Sequence, residues 1–386
     1  MADMRFRLWF GDRAASADEL ARVEQIEVTQ EMDAFWEAHV RMALCLDANG
    51  TWQHWPGDTA TPFSRVRIEL DLGSGRFVPL IDGPLASVDA GLDAQPGRST
   101  ATMVVRDDSA FLDRDEEAER PFENKSDSEV ARILFERFSQ VIGETRIPAT
   151  QGTPATTTRR GTVLTFLRRL ARLNGRHAYV LPAEQQGGKS IGCFLPDPGA
   201  ADGAPDLPAL VMIGIERNLA DAEITEDPRG PERTRSRVLR VNDQGVTTFE
   251  TSAQDLGLMR DLPATPADLT PRRLLHPADN HREDPSAAVS GQARRRGYVY
   301  HLRSRVVPGC YGAVLKPYKK VRVDAGATPY SGDYLITRVV HRITPSLYTQ
   351  EFEAQTDSTS TVPGAAVAEA LGGGLGVSVS ASVGIF

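Results

Sequence analysis

The sequence predicts an α+β, mainly β chain with strand-rich ends around a helical middle. Three observations carry that reading. Residues 4–106 hold short runs in which apolar and charged side chains alternate, residues 126–174 change to helical spacing, and residues 298–354 return to strand-like runs. A period of two marks a half-buried strand, and a period of 3.6 marks a helix with one apolar face.

The first run is Met4-Arg5-Phe6-Arg7-Leu8-Trp9-Phe10, whose even positions are all apolar. A similar run follows at Val40–Leu46, and the pattern is cleanest where Val66, Ile68, Leu70 and Leu72 are set against Arg65, Arg67, Glu69 and Asp71. Phe77–Ile81, Ala86–Gly91 and Ala101–Arg106 are further expected strands. Short strands separated by Gly, Pro and Asp suggest an antiparallel sheet or barrel. After the charged stretch Asp113–Glu119, Ser126 and Glu129 form a capping box, in which serine oxygen and glutamate each satisfy an orphan backbone N–H. Val130, Ile133, Leu134, Phe138 and Val141 then supply an apolar helix face.

A linker rich in Thr, Pro and Gly, Thr145–Gly161, leads to a second helix over about Thr162–Asn174. Its stripe is Val163, Leu167, Leu170 and Ala171, and Gly175 stands where a C-cap favours positive φ. Ala178–Leu181 and Ile191–Leu195 read as a hairpin, Pro196–Pro208 as a loop, and Leu210–Ile215, Arg237–Val241 and Val246–Thr251 as strands. Ala253–Arg294 is polar, Pro-rich and weakly periodic, so an excursion or linker is expected there. Strands resume at Tyr298–Val306, Ala313–Leu315, Val321–Val323, Asp333–Ile343 and Tyr348–Ala354.

The expected division is residues 1–118 as a first β domain, 119–209 as an α/β insert with two helices, and 210–252 as strands shared between the insert and a second β domain. Residues 253–294 form the excursion, 295–357 the second β domain and 358–386 a small-residue tail. In that tail Val377, Val379, Ala381, Val383 and Ile385 alternate with small residues behind Gly372-Gly373-Gly374. A lone strand is unstable in water, so this one is expected to order by adding to a partner's sheet.

At 386 residues the chain has length for two or three domains, and its net charge of -8 argues against a protein that mainly grips nucleic acid. The three cysteines, Cys45, Cys193 and Cys310, are odd in number and far apart, so they make neither a disulfide framework nor a CxxC site. The N-terminus is charged where a signal peptide would be apolar, and no run reaches the roughly 18 apolar residues of a membrane span. A protein made and folded in the cytoplasm, without membrane insertion, is expected.

Each candidate for chemistry has a blander explanation. Ala183-Glu184-Gln185-Gln186-Gly187-Gly188-Lys189-Ser190 is a relaxed phosphate-binding loop, but such a loop needs a helix after its Lys-Ser. Ile191–Pro196 is too short and proline-stopped, so a Gly-rich hairpin turn explains it better. His276, Asp279, His281 and Glu283 invite a metal, yet Pro277, Pro285 and the lack of periodicity favour a solvated loop. Asp113, Asp115, Glu116 and Glu117 read as a solvated acidic face. His341 alternates with Val339 and Ile343 and reads as a packed strand histidine. Arg159, Arg160, Arg168, Arg169, Arg172 and Arg176 flank or lie on the second helix, where solvation is preferred over an acidic partner. Trp9, Trp36, Trp52 and Trp55 are the only tryptophans, all N-terminal, which is thin support for a glycan- or receptor-binding module. No catalytic residue, cofactor or metal is expected.

Three stretches resemble the phage late-control D, or contractile-tail baseplate central hub, family, which also supplies the N-terminal half of the type VI secretion spike proteins. They are Arg98–Asp107 with Pro121–Ala131, then Thr165–Gly175 leading to His177–Leu181, then Tyr330–His341 with Tyr348–Phe352. The resemblance covers about residues 1–355. It implies a homotrimer in which two similar tube-like β-barrel domains per subunit form a pseudo-sixfold ring, with the α/β insert outside. Such a ring would join a sixfold inner tube, or a tube-initiating adaptor, to a threefold spike. With no further domain after the second barrel, the spike is expected to be a separate protein. A baseplate wedge and the tape-measure protein are further candidate partners. The alternatives are a receptor- or glycan-binding tail module and a tail-associated wall-degrading enzyme.

Overall fold

The computed structural model describes residues 4–53, 61–95, 97–114, 121–154, 156–199, 204–227, 232–240, 245–256, 271–276, 281 and 283–357. Its backbone is dominated by one 13-stranded sheet to which both ends of the described chain contribute. From one edge the order is Leu219–Glu226, Tyr300–Val306, Tyr348–Thr356, Gly332–Ile343, Val23–Glu31, Glu37–Ala43, Thr100–Arg106, Val78–Gly91, Arg65–Asp71, Arg5–Phe10 and the short Arg13–Ala14. Lys320–Asp324 also pairs with Gly332–Ile343, and Leu207–Val211 joins it in parallel. The late and early halves meet where Ile343 pairs with Ile26, His341 with Val28 and Val339 with Gln30.

Two apolar cores flank this seam. One gathers Leu8, Ile26, Val40, Ile68, Ile81 and Met103, and takes Ile343 and Tyr348 from the late half. The other gathers Leu219, Leu302, Val321, Tyr334, Val339 and Phe352. The alternating late strands fit this arrangement: Tyr348–Thr356 buries every second residue, as period two requires.

The insert has its own core. Its first helix, Asp127–Glu136, starts with the expected capping box, Ser126 with Glu129, and buries Val130, Ala131, Leu134 and Phe135. The second, Val163–Leu173, is capped by Thr162 and buries the whole expected stripe together with Leu164, Phe166 and Leu173. Gly175 has φ +61°, the conformation expected of it. Both helices lie against a three-stranded sheet, Ile142–Arg146, Ser190–Pro196 and Arg176–Leu181. The last two form the expected hairpin. Among the described residues no helix is long and apolar enough to cross a membrane.

Several expectations need correction. Phe77–Ile81 and Ala86–Gly91 belong to one strand, Val78–Gly91, which passes from the 65–71 strand to the 100–106 strand. Gly83 permits that passage, because a Cβ there would stand 2.0 Å from the Arg106 carbonyl oxygen. The Thr145–Gly161 linker begins as strand, since Thr145 and Arg146 pair with Gly192 and Cys193. Leu207–Val211 replaces the expected Leu210–Ile215, and Ala313–Leu315 is irregular.

The largest correction lies in the 253–294 excursion, where the strand Arg272–Leu274 forms and the helix Pro285–Arg296 begins, running past the expected boundary at 294. Pro285 does not break this helix, because it occupies the first turn, where a missing N–H costs nothing, and the Asp284 side chain caps Ala287. Arg272–Leu274 joins Arg233–Arg240 and Gly245–Thr251 in a separate three-stranded sheet. The helix packs on the insert through two glycines: a Cβ at Gly291 would stand 2.4 Å from Gly175 Cα. Asp115, Glu116, Glu117, Trp55, Asp279 and the 358–386 tail lie outside the described residues.

Candidate functional site at the insert–sheet junction

The residues singled out in the sequence do not gather into one reactive centre. In the phosphate-loop candidate, Lys189 Nζ donates to the Ser139 carbonyl at 2.7 Å and Ser190 Oγ donates to Asp108 at 2.7 Å. The strand Ser190–Pro196 follows, where phosphate binding would need a helix. His281 Nε2 lies 2.9 Å from buried Asp127, and Asp284 N–H donates to its Nδ1, so it ties helix 285–296 to helix 127–136. Among the described residues no three His, Cys, Asp or Glu side chains could share a metal ion. Asp113 accepts a bond from the Thr162 hydroxyl at 2.6 Å.

His341 is fully buried between the Tyr348 hydroxyl and Gln30, and burial together with the charge of Lys316 pushes its pKa down to about 3. It is a neutral packed histidine, as its position in the alternation suggested. Burial pushes the Cys193 thiol up to about 12, which leaves it inert, whereas Cys45 and Cys310 are exposed. Of the basic set, Arg159 is buried and Arg168 lies over Phe35. Arg176 donates to the carbonyls of Pro148 and Ala149, while Arg160 and Arg172 face solvent. Trp36 is buried, and Trp9 Nε1 donates to Glu69 at 3.1 Å.

Functional weight falls instead where the insert meets the sheet. Alternation had set Arg65, Arg67, Glu69 and Asp71 apart from the apolar residues of their strand, yet Arg67, Glu69, Asp71 and Asp82 are all buried. Part of the reason is the insert hairpin, which reaches over this face. The Arg67 guanidinium is 2% exposed and donates to Glu69 and Asp82, both at 2.9 Å. It also donates to the carbonyls of Ala183 and Glu184 at 2.8 and 3.0 Å. Arg65 bridges Asp82 and Asp108, both at 2.7 Å, and Ser190 completes the row. Burying these charges is costly, and the cost is offset only because each charged group has hydrogen-bonded partners. Next in the chain, Asp107 accepts from the Trp36 backbone N–H and the Ser109 hydroxyl, but burial outweighs both and raises its pKa to about 6.

A second junction reaches the late half of the chain. His177 Nδ1 lies 2.9 Å from Asp33, and its Nε2 lies 3.4 Å from Asp197, which also accepts from the Tyr298 hydroxyl at 2.6 Å. Burial disfavours the imidazolium, but the bonds to Asp197 and Asp33 outweigh it and raise the His177 pKa. Burial likewise opposes the Asp197 carboxylate, and the His177 bond still holds it down at about 2. The Tyr318 hydroxyl accepts from Asp33 N–H at 2.8 Å, and its ring stacks on Tyr179 at 3.8 Å. Early half, insert and late half thus meet around one imidazole. No local pattern announced it, because its members stand at positions 33, 177, 197, 298 and 318.

Beside these junctions lies a cleft of about 590 Å³ whose lining includes Trp36, Phe77, Tyr179 and Tyr318 together with Arg76, Arg146, Lys316 and Lys319.

No protein-family profile and no curated protein sequence match this chain. Solved structures do. The tail protein from Neisseria meningitidis MC58 is 12% identical with a TM-score of 0.62, over 92% of this chain and 97% of that one. The 43 kDa tail protein of prophage MuSo2 from Shewanella oneidensis is 14% identical with a TM-score of 0.62, over 93% of this chain and all of that one. An E. coli component of the type VI secretion system, itself similar to the T4 tail proteins gp27 and gp5, is 10% identical with a TM-score of 0.50. That match covers 94% of this chain and 79% of the E. coli one. The chain has the fold of these tail and secretion proteins.

Proposed function

We propose that this chain is the central hub of a phage-tail or contractile-injection baseplate, a homotrimer that joins the sixfold inner tube to a threefold spike. The observation that carries the reading is the fold likeness to two tail proteins, which extends over more than nine-tenths of each chain compared.

The architecture is suited to that task. Two β-rich cores flank a continuous seam, so each subunit would offer two β bodies to a ring. Three copies of a chain with two similar bodies give six positions, which is what a sixfold-to-threefold adaptor requires. Among the described residues Leu219–Glu226 is an edge of the sheet, and it carries Asp221, Glu223 and Glu226, acids that discourage indiscriminate strand pairing. The buried charges of Arg67, Asp82, Asp108, His177 and Asp197 are engaged in joining parts of the chain, which favours a structural role over an enzymatic one. The partners are then the tube protein or its adaptor and the spike, with assembly in the bacterial cytoplasm.

Light scattering of the purified chain, alone and with its spike, tests this directly. Three copies per particle are expected. A monomer at every concentration, with or without spike, would sink the hub reading.

A further inference from the structure

We propose that the cleft beside the insert hairpin is a docking groove for an acidic segment of a partner protein, with Lys316 as the anchor for one of its carboxylates. This goes beyond the hub reading and stands apart from it, because a chain in any oligomeric state would carry the same groove.

Charge comes first. The chain as a whole carries -8, yet the lining of this cleft holds four cations, Arg76, Arg146, Lys316 and Lys319, against a single acid, Glu184. Three of the cations already have acids: Arg76 with Glu184 at 3.4 Å, Arg146 with Glu144 at 2.9 Å and Lys319 with Asp206 at 3.4 Å. Those pairs are exposed, so they contribute little and an arriving carboxylate can exchange into them. Lys316 differs. It makes no hydrogen bond or ion pair among the described residues, and it is half-buried. Burial pushes its amine down to about 8, the charge of Glu184 offsets part of that, and the charges of Lys319, Arg67 and Arg76 press it down again. An amine so placed gains more from an incoming carboxylate than a solvated one does.

The walls specify the rest of the ligand. Arg146, Cys193 and Tyr179 form one cross-strand row of the insert sheet, and Ile191 and Leu181 pair with each other two rows along. Tyr179 stacks on Tyr318 with planes 8° apart, a flat apolar surface beside the cations. The cations come from three separate segments, and none of the lining residues belongs to a helix. A phosphate is usually held by convergent donors such as the amides of a helix N-terminus. Cations spaced along an aromatic wall suit an extended chain in which acidic and apolar side chains alternate.

The test is fluorescence anisotropy on the full chain, with a fluorescein-labelled hexapeptide of alternating Glu and Phe as probe. Its Gln–Phe counterpart and inorganic phosphate serve as comparators. The Glu–Phe peptide is expected to bind about tenfold more tightly than the Gln–Phe peptide, and Lys316→Met to lose about tenfold while Lys316→Arg restores it. Glu184→Gln removes the groove's own acid at an exposed position and is expected to tighten binding about twofold. It keeps the test decisive if Lys316→Met fails to fold. Equal binding of the two peptides, no loss in a folded Lys316→Met, no tightening in Glu184→Gln, or displacement by phosphate at lower concentration than by unlabelled peptide would each overturn the proposal.

Discussion

The Arg67 row and the His177 bridge fasten the same insert to the same sheet, the first through guanidinium groups and the second through an imidazole. Arginine stays protonated at any pH the protein meets, so the Arg67 contact to Ala183 and Glu184 is permanent. The imidazole of His177 holds Asp33 and Asp197 together only while it carries its proton. One anchor is fixed and the other conditional. The comparison teaches that two attachments of the insert, one independent of pH and one dependent on it, can be separated by experiment.

The sharpest break is Arg67→Met. It leaves Glu69, Asp82 and two carbonyls without their shared donor in a buried site, and should cost about 3–5 kcal/mol in urea unfolding. A loss below about 1 kcal/mol would mean that the row is not holding the hairpin. Next comes Gly291→Ala, which puts a methyl group 2.4 Å from Gly175 Cα and should cost about 1–3 kcal/mol through overpacking, with no dependence on salt or pH. It measures a third attachment, made without charge.

The smallest effect is one of slope. The His177 pKa is raised in the folded state, so its contribution is complete below the unfolded value near 6.5 and fades as pH rises through the folded one. His281, raised despite burial by its bond to Asp127, acts with the same sign. Asp107, raised to about 6, is half titrated at pH 6 and adds a small loss just above it, and Lys316, lowered to about 8, opposes the trend only at higher pH. His341, held near 3 in the fold, acts with the opposite sign, because only its unfolded form takes up a proton near 6.5 and stability rises as that proton leaves. His177→Gln removes a contribution that falls with pH, so between pH 6 and 8 its stability should change more favourably with rising pH than that of the wild-type chain. An unchanged slope in His177→Gln would place the titration elsewhere.

What the sequence made legible was local. The Ser126–Glu129 box, the Val163 stripe, positive φ at Gly175 and the packed His341 each depend on near neighbours, and each stands in the structure as read. Alternation also separated the two faces of the 65–71 strand. It could not tell that the charged face is covered, since the segment reaching it begins more than a hundred positions later. Helix 285–296 escaped for a related reason. It buries Ala288, Val289 and Ala293, too small a stripe to stand out among three consecutive arginines, and it needs Gly175 as its counterpart. The cleft was not legible at all, because its cations come from segments near positions 76, 146 and 316.

The pairing of Gly332–Ile343 with Val23–Glu31 has a consequence for how the chain is made. Strand 23–31 leaves the ribosome early, but its neighbour on one side is synthesised some three hundred residues later, a wait on the order of 15–60 s at ordinary translation rates. Until then one row of its amides and carbonyls is open, and a growing chain in that condition invites chaperones or a wrong strand. Any association that needs the finished sheet would be suppressed by the same delay, since that sheet is complete only when nearly all of the described chain has emerged.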